Sequence, residues 1–421
     1  MISAKARTEF LAFLAILFAG LALRHPGFLG LAVVLATHLV FGLILVPKIS
    51  GSALSAQRIV EPKRLHEGHL LQIQVHVRNL GRKPVELRIS DGPYPGFSVT
   101  EGKTWAWGVV APQEELSLSY VVRPARGIYK LSGVQVEILD PLGLTPRRLE
   151  LPCPGEVAVL PRVEDLLRVD TRPRRTLTAP GTARARRGGM GLEFHGVREY
   201  RPGDNVRRLA WKVFARRDEP AVVEFEEERA ADVAVILDVR ARAYFAAPSE
   251  LFEFSVRAAA ALAQYFLRQG NRVALLKYGA VLDWIFPGYG RRHGERILRE
   301  LAEAKLGKSE VFAELDHLPT RLLPAGSLIV LVSPLILGDE DTLGKLVARG
   351  YRVFAVLPDP VSLEFGRVET EEEKLVRRIM FLERWVLLRR LRRAGVTAVV
   401  WDVRRPLSPL LRRLRGERLC L

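Results

Sequence analysis

The 421-residue chain has few cysteines and none of the short catalytic motifs that would mark a common enzyme class. Its two cysteines, Cys153 and Cys420, exclude a disulfide framework, and neither lies in a CxxC or Cys/His cluster that would hold zinc. The sequence contains no GxxxxGK[ST] phosphate loop, no HExxH and no GxSxG. Disorder is excluded too, since 48% of the residues are hydrophobic and 26% are charged. We therefore expect a folded protein that is not an enzyme.

Basic residues exceed acidic ones, 64 against 47, which gives a formal net charge of +17. This excess favours an anionic partner, such as nucleic acid, lipid headgroups or an acidic protein surface. Nucleic-acid tails usually place aromatic stacking residues between their charges, and the arginine-rich residues 172–187 contain none. Nucleic acid is therefore not the partner we expect. An anion- or nucleic-acid-binding protein that uses its arginine-rich segments remains the alternative function.

The first fifty residues contain two apolar runs, residues 10–23 and 28–46, separated by Arg24-His25-Pro26-Gly27. A bilayer core needs ~20 apolar residues in a helix. The pattern predicts a transmembrane hairpin within residues 1–50, with helices at about 8–24 and 28–46, so that the lipid bilayer is a partner. A cleaved signal peptide or a pair of core helices in a soluble domain are the alternatives.

Lysine and arginine flank this hairpin at its base, whereas its tip carries only Arg24. The basic residues at the base are Lys5, Arg7, Lys48, Arg58, Lys63 and Arg64. Cytoplasmic flanks are enriched in Lys and Arg. We therefore predict a two-pass protein of the cell membrane, with both termini and the soluble domains in the cytoplasm.

Residues 58–160 alternate apolar and polar side chains in short segments punctuated by Gly and Pro, as in residues 71–78. This pattern predicts an antiparallel β-sandwich. Trp105 and Trp107 fall on one face of a short strand, and we expect them to pack in the core rather than to form a ligand platform.

Residues 161–231 form a charged connector. Six arginines lie among Pro and Gly between residues 172 and 189, which predicts a mobile basic loop. Pro202-Gly203 then predicts a turn, Asp204 an N-cap, and residues 205–216 a helix. So many charges mixed with aromatic side chains predict an interdomain or partner surface. Its members are Glu193, Arg198, Glu199, Tyr200, Gly203, Asp204, Arg207, Trp211, Lys212 and Arg216.

Residues 232–421 alternate apolar strands, at 233–239, 272–278, 328–332, 352–357 and 397–403, with helical segments. This alternation predicts an α/β domain with a doubly wound parallel sheet. We expect the long arginine-rich helix, about 371–394, to cover the sheet, with contact to a membrane or a partner as the alternative. Ligands of such folds bind beyond the carboxyl ends of the strands, where the first strand places Asp238.

Two segments resemble a known family. Residues 191–217, GLEFHGVREYRPGDNVRRLAWKVFARR, closely resemble the signature of the domain of unknown function 58 family. Residues 127–144, GIYKLSGVQVEILDPLGL, are similar to the end of that family's β domain, and the two apolar runs match its usual start. The resemblance implies a membrane-anchored protein with a von Willebrand factor A-like domain and a MoxR-type AAA+ ATPase as its protein partner. We expect a non-enzymatic scaffold or adaptor that acts with this ATPase in assembly or maturation of protein complexes.

Von Willebrand factor A domains hold Mg²⁺ through Asp-x-Ser-x-Ser at the end of the first strand, with a Thr and a further Asp from later loops; hard oxygen ligands suit this cation. In this chain arginines replace both serines and a proline replaces the later aspartate. The degenerate site comprises Asp238, Arg240, Arg242, Ser309, Ser333 and Pro334. The arginines would repel a divalent cation and supply its counter-charge, so we expect no cofactor and an Asp238 held by arginine. The alternatives are a distorted Mg²⁺ site, an arginine pair that binds an acidic residue or phosphate, and an uncharacterised enzyme at this cleft.

Overall fold

The computed structural model divides into two compact units, Met1–Leu160 and Pro161–Leu421. Each unit is described below by itself. The structure describes residues 4–44, 53–140, 142, 144–166, 177–202, 204–230, 232–244, 248–279, 283–307, 323, 326–364 and 371–413. Ser309, Gly203 and Cys420 lie outside these residues.

The first unit begins with two apolar helices, α1 (Ala4–Leu23) and α2 (Pro26–Ile44). In length and composition, α1 qualifies as a membrane span over residues 5–23. The apolar part of α2 that meets the same hydropathy criterion, residues 26–42, is shorter. Helix α1 is longer than the apolar run at residues 10–23 because it also includes residues 4–9. The chain thus has an N-terminal apolar helix that fits a membrane anchor.

The rest of the first unit is a β-sandwich. Two four-stranded sheets, ordered β1-β3-β7-β5 and β10-β9-β4-β6, enclose one apolar core, and a small sheet β2-β11-β8 adjoins them. The core residues alternate along each strand, as the four fully buried residues from Leu71 to Val77 show. The strands are β1 (Leu54–Glu61), β2 (Arg64–His66), β3 (Leu71–Asn79), β4 (Val85–Ser90), β5 (Phe97–Gly102), β6 (Trp105–Val110), β7 (Glu115–Pro124), β8 (Gly127–Leu131), β9 (Val134–Ile138), β10 (Arg147–Leu151) and β11 (Gly155–Leu160).

The two tryptophans of β6 do not pack in this core, so that prediction was wrong. Trp105 and Trp107 are 38% and 62% exposed, whereas Val110 on the other face is buried. The Arg88 guanidinium lies 5.4 Å from the centre of the Trp105 ring. The alternation of β6 was read correctly, but a two-residue period does not say which of its faces is inward.

The loop after β9 contacts the helical hairpin. The Asp140 carboxylate accepts hydrogen bonds from the backbone N–H groups of Leu142, Leu144 and Thr145. Burial alone would raise the pKa of Asp140, but these donors outweigh it and lower that pKa. The loop so formed places the Thr145 hydroxyl 3.2 Å from the Gly42 carbonyl oxygen of α2, and Leu144 packs against Gly42. This part of the family-like segment therefore has a structural role.

The second unit begins with a two-stranded antiparallel ribbon, β12 (Leu177–Glu199) with β13 (Ala221–Ala230). The predicted mobile loop is thus corrected from residue 177 onward, because backbone pairing continues through the Gly and Arg positions with several register shifts. The predicted helix at 205–216 is instead a 3₁₀ turn, Val206–Arg208, followed by α3 (Trp211–Arg217). Asn205, not Asp204, caps the turn, since its side-chain oxygen accepts from the Arg207 N–H at 3.1 Å.

The α/β region contains a six-stranded mixed sheet ordered β16-β15-β14-β17-β18-β19. All neighbours are parallel except β16, an antiparallel edge strand that the sequence pattern did not predict. The strands are β14 (Asp232–Asp238), β15 (Arg272–Tyr278), β16 (Asp283–Gly288), β17 (Leu328–Val332), β18 (Arg352–Pro358) and β19 (Thr397–Trp401). The helices are α4 (Pro248–Arg268), α5 (Arg291–Glu303), α6 (Asp339–Ala348), α7 (Val361–Glu364), α8 (Glu371–Arg393) and α9 (Leu407–Arg413).

The chain reverses its direction of travel across the sheet at the pair β14 and β17. From β14 it moves to β15 on one side, and it later returns to β17 on the other side. Such a reversal opens a crevice beyond the carboxyl ends of the two strands, which is where ligands of open α/β sheets bind. The candidate site lies at this point.

Candidate functional site

Two neighbouring strands bring the first site residues together. Asp238 is the last residue of β14, and Ser333 directly follows β17. The Ser333 hydroxyl donates to Oδ2 of Asp238 at 2.6 Å, and both side chains are buried. Ser333 Oγ in turn accepts the Leu335 N–H at 2.9 Å. The serine therefore ties the end of β14 to the loop that follows β17.

Arg240 folds back over Asp238. Its Nε–H group lies 3.0 Å from Oδ1 of Asp238, and Nη2 lies 2.7 Å from Oδ2. The backbone N–H of Arg240 also donates to Oδ1, at 2.9 Å. Only 1% of the arginine side chain is exposed. A bidentate, charge-assisted pair of this kind fixes both planar groups in one orientation.

A second carboxylate completes the cluster from the opposite side. Asp339, the first residue of α6, accepts from Nη1 and Nη2 of Arg240 at 3.0 and 2.8 Å. Its Oδ2 also accepts the Ile336 N–H at 3.0 Å. Asp339 is not among the residues predicted from the sequence, because the later aspartate of the motif was expected directly after Ser333, where Pro334 stands. The available signal was an aspartate after Gly338 at a helix start, where carboxylates are favoured.

Two buried tyrosines enclose the cluster. The Tyr244 hydroxyl donates to the backbone carbonyl of Asp238 at 2.8 Å. Arg240 lies 6.0 Å from the centre of the Tyr278 ring, within the range of a cation–π contact. Both tyrosines are fully buried. Water is therefore kept from two faces of the cluster, which strengthens its electrostatic interactions.

The cluster holds one cation and two carboxylates, so its side chains carry one surplus negative charge. Burial raises the pKa of Asp339, an effect only partly offset by its hydrogen bonds to Arg240. Burial acts in the other direction on Arg240, but its two carboxylate partners prevail and raise the pKa of the guanidinium. Arg240 is thus held as a cation between its two partners.

This donor set does not fit a resident divalent cation. A metal would have to take the place that Arg240 occupies between the two carboxylates, and both oxygens of Asp238 already accept hydrogen bonds. Across the part of the chain that the structure describes, no group of three or more His, Cys, Asp or Glu side chains could hold a metal. The arrangement positions two strand ends and a helix start.

The other predicted residues of the degenerate site lie differently. Pro334 supplies a backbone carbonyl that accepts a hydrogen bond from the Arg384 guanidinium of α8. Arg242 is in the 3₁₀ turn after Arg240, and its Nε is buried without a hydrogen-bond partner among the described residues. The structure therefore brings Asp238, Arg240 and Ser333 together and leaves Arg242 outside their hydrogen bonds.

Part of the predicted partner surface forms a closed loop. Arg198 donates to both oxygens of Asp204 at 2.7 Å, and Oδ2 of Asp204 also accepts the Arg201 N–H at 2.8 Å. The Arg198 hydrogen bonds, and then that of Arg201, lower the pKa of Asp204 to about 2. These residues fix the turn between β12 and α3, so their side chains serve the loop itself.

The remaining members of that surface are mostly exposed. Tyr200 is half-buried, and the side chain of Glu193, on β12, lies outside the described set. Trp211 is 62% exposed, and its ring lies edge-on to Phe214 at 6.4 Å. The exposed members are Glu199, Arg207, Trp211, Lys212 and Arg216. An exposed tryptophan flanked by cations is an unusual use of a large apolar side chain, and it fits a binding surface.

The fold and the cluster together define a protein with an N-terminal apolar helix, a β-sandwich and an α/β region built around a buried Asp–Arg–Asp cluster. Residues 196–380 match the family model described as "Protein of unknown function DUF58". This match to residues 196–380 confirms the resemblance of the signature segment.

Two uncharacterized proteins are related to this chain in sequence. The chain is 24% identical to the uncharacterized protein YeaD of Bacillus subtilis over 359 residues, covering 82% of this chain and 84% of that protein. It is 35% identical to an uncharacterized protein of Mycobacterium tuberculosis over 116 residues, covering 27% of this chain. The chain spans 37% of the length of that mycobacterial relative.

Solved structures give weaker matches. The CARDB domain of a Pyrococcus furiosus protein covers 26% of this chain at 17% identity, with a TM-score of 0.19. The proximal thread matrix protein 1 from the mussel byssus covers 44% of this chain at 15% identity, with a TM-score of 0.30.

Proposed function

We propose that the chain is a non-enzymatic, membrane-anchored scaffold whose α/β region is a von Willebrand factor A-like domain that binds a protein partner. In this proposal α1 and α2 form a two-pass hairpin, and both termini and the soluble domains lie in the cytoplasm. The partner is a MoxR-type AAA+ ATPase, and the process is assembly or maturation of protein complexes.

The observation that carries the proposal is the closed cluster at the reversal point of the sheet. In a ligand-binding α/β fold this crevice is where a substrate or metal would bind. Here Arg240 fills the place between Asp238 and Asp339, so the cluster stabilises the loops around it without a metal. A surface shaped by such loops can bind protein, and Trp211 with its cationic neighbours offers an exposed anchor in the same unit.

The test is binding of the full chain, held in detergent micelles, to the purified MoxR-type ATPase from the same genome. We expect saturable binding in at least one of the nucleotide-free, ADP and ATP states. Trp211→Ala should weaken it at least about tenfold, as for a truncated tryptophan anchor. Trp107→Ala is the matched control, because Trp107 is also 62% exposed but lies in the β-sandwich. Failure to bind in all three states would reject this partner.

A further inference from the structure

Helix α8 leaves a row of apolar side chains exposed. Leu375, Ile379, Leu382 and Val386 follow one another at spacings of four, three and four residues, which places them on one face of the helix. Each is between 42% and 60% exposed. The helix meets its own unit with another face, where Leu391 is fully buried. The prediction that α8 only covers the sheet therefore accounts for one face of the helix and leaves this row unexplained.

A groove runs between this row and the loop that connects β17 to α6. The loop contributes Leu335, Ile336 and Leu337, the last of which is 86% exposed. The cavity between loop and helix measures about 540 Å³, and Ile379, Leu382 and Val386 line its helical side.

Polar contacts join the two walls of the groove. Arg384 of α8 donates to the Pro334 carbonyl, and Arg390 lies 2.8 Å from Oε1 of Glu340 in the first turn of α6. Ser333 and Asp339 then connect the same loop to Arg240. The buried cluster thus sets the position of one wall of the groove.

Helix α8, which forms one wall of the groove, is basic, and exposed arginines border the apolar row: Arg378 lies three residues after Leu375, and Arg389 lies three residues after Val386. From Lys374 to Arg393, α8 carries eight Lys or Arg residues and one acidic residue, Glu383. Glu340, which also lines the groove, is already paired with Arg390. An occupant with acidic flanks would therefore meet complementary charge.

We propose that this groove binds an amphipathic α-helix of a partner protein, one with an apolar stripe bordered by Asp and Glu. The spacing of the exposed row matches the seam along which two helices pack, and helix-in-groove binding uses such a row of anchors. A bilayer surface fits less well, because the site is concave. The inference rests on the proposed function in one respect, that the α/β region binds protein.

The experiment uses the full chain in phosphatidylcholine nanodiscs and a synthetic helical peptide of about 20 residues, long enough to form a helix. Its leucines follow the same spacing and glutamates flank them; a second peptide carries lysines instead. We expect the unaltered chain to bind the acidic peptide saturably and not to bind the lysine peptide. The affinity of Leu382→Glu for the acidic peptide should be at least about tenfold lower. Phe381→Glu is the matched control, since Phe381 is 68% exposed on a different face of α8.

Equal binding by Leu382→Glu and the unaltered chain, or equal loss in Phe381→Glu, would overturn the proposal. So would equal binding of the lysine peptide. If phosphatidylglycerol nanodiscs without peptide slow hydrogen exchange along α8, the face binds lipid and the proposal is also wrong. Unchanged unfolding midpoints of both variants show that any loss is local.

The two proposals can fail separately. Should Leu382→Glu bind the MoxR-type ATPase as well as the unaltered chain does, the scaffold role stands and the groove is not its docking site. If the acidic peptide binds but the ATPase does not, the proposal for the groove is supported and the MoxR-type ATPase is not the partner.

Discussion

Each unit of the molecule buries an arginine, and the two arginines are neutralised differently. In the β-sandwich, Arg58 binds both oxygens of Asp91, which also accept hydrogen bonds from the hydroxyls of Tyr94 and Tyr120. Two backbone carbonyls accept from the other Arg58 nitrogen. The sandwich therefore pairs one cation with one anion, whereas the α/β cluster holds Arg240 between two carboxylates.

The Arg58 network is therefore a neutral structural ion pair, whereas the Arg240 cluster carries a net charge. The Arg58 network is neutral and fully supplied with donors, so it joins sandwich strands and loops without any demand for a ligand. The Arg240 cluster lies at the reversal point of the sheet and keeps one surplus negative charge. Because Arg240 binds both carboxylates, it connects the end of β14 to the start of α6.

Replacement of each buried arginine in turn should have the largest effect on the free energy of unfolding. It tests most clearly whether the two arginines are neutralised differently. Arg240→Met leaves two buried carboxylates without their cation, so we expect the free energy of unfolding of the α/β region to fall by about 3–5 kcal/mol. Arg58→Met should cost less, because the tyrosine hydroxyls still donate to Asp91. The measurement is chemical denaturation of the full chain in micelles, with exposed Arg207→Met as the control. An equal or larger loss in Arg58→Met would contradict the distinction.

The surplus negative charge of the Arg240 cluster should have a smaller effect, which appears as a pH dependence of the free energy of unfolding. Because the pKa of Asp339 is raised above its ordinary value of 3.8, its contribution to stability is present below that value. It is lost as pH rises through the folded-state pKa. We therefore expect the free energy of unfolding to fall less in Asp339→Asn than in the unaltered chain as the pH rises from about 4 to about 8.

Asp165→Asn serves as the control for this titration, since Asp165 is an exposed aspartate of the same unit. If the free energy of unfolding changed with pH in the same way in Asp339→Asn and in the unaltered chain, ionisation of Asp339 would carry no cost in stability. The comparison with the sandwich would then lose its electrostatic basis.

Local patterns predicted the parallel strands of the α/β region well, because long apolar runs bounded by Gly and Pro have few alternatives. They also placed Asp238 and Ser333 at strand ends. They could not place Asp339, since its approach to Arg240 depends on where α6 begins in space. Likewise, the alternation around Trp105 and Trp107 gave the period of β6 but not its inward face, which depends on sheet packing.

The most direct test of the central claim is calorimetric titration of the full chain in micelles with Mg²⁺. If Arg240 takes the place of the cation between Asp238 and Asp339, the unaltered chain should show no saturable heat. Arg240→Ser, which removes the guanidinium and restores a hydroxyl, is the variant in which Mg²⁺ binding could appear. Saturable binding by the unaltered chain that Asp238→Asn abolishes would contradict the account.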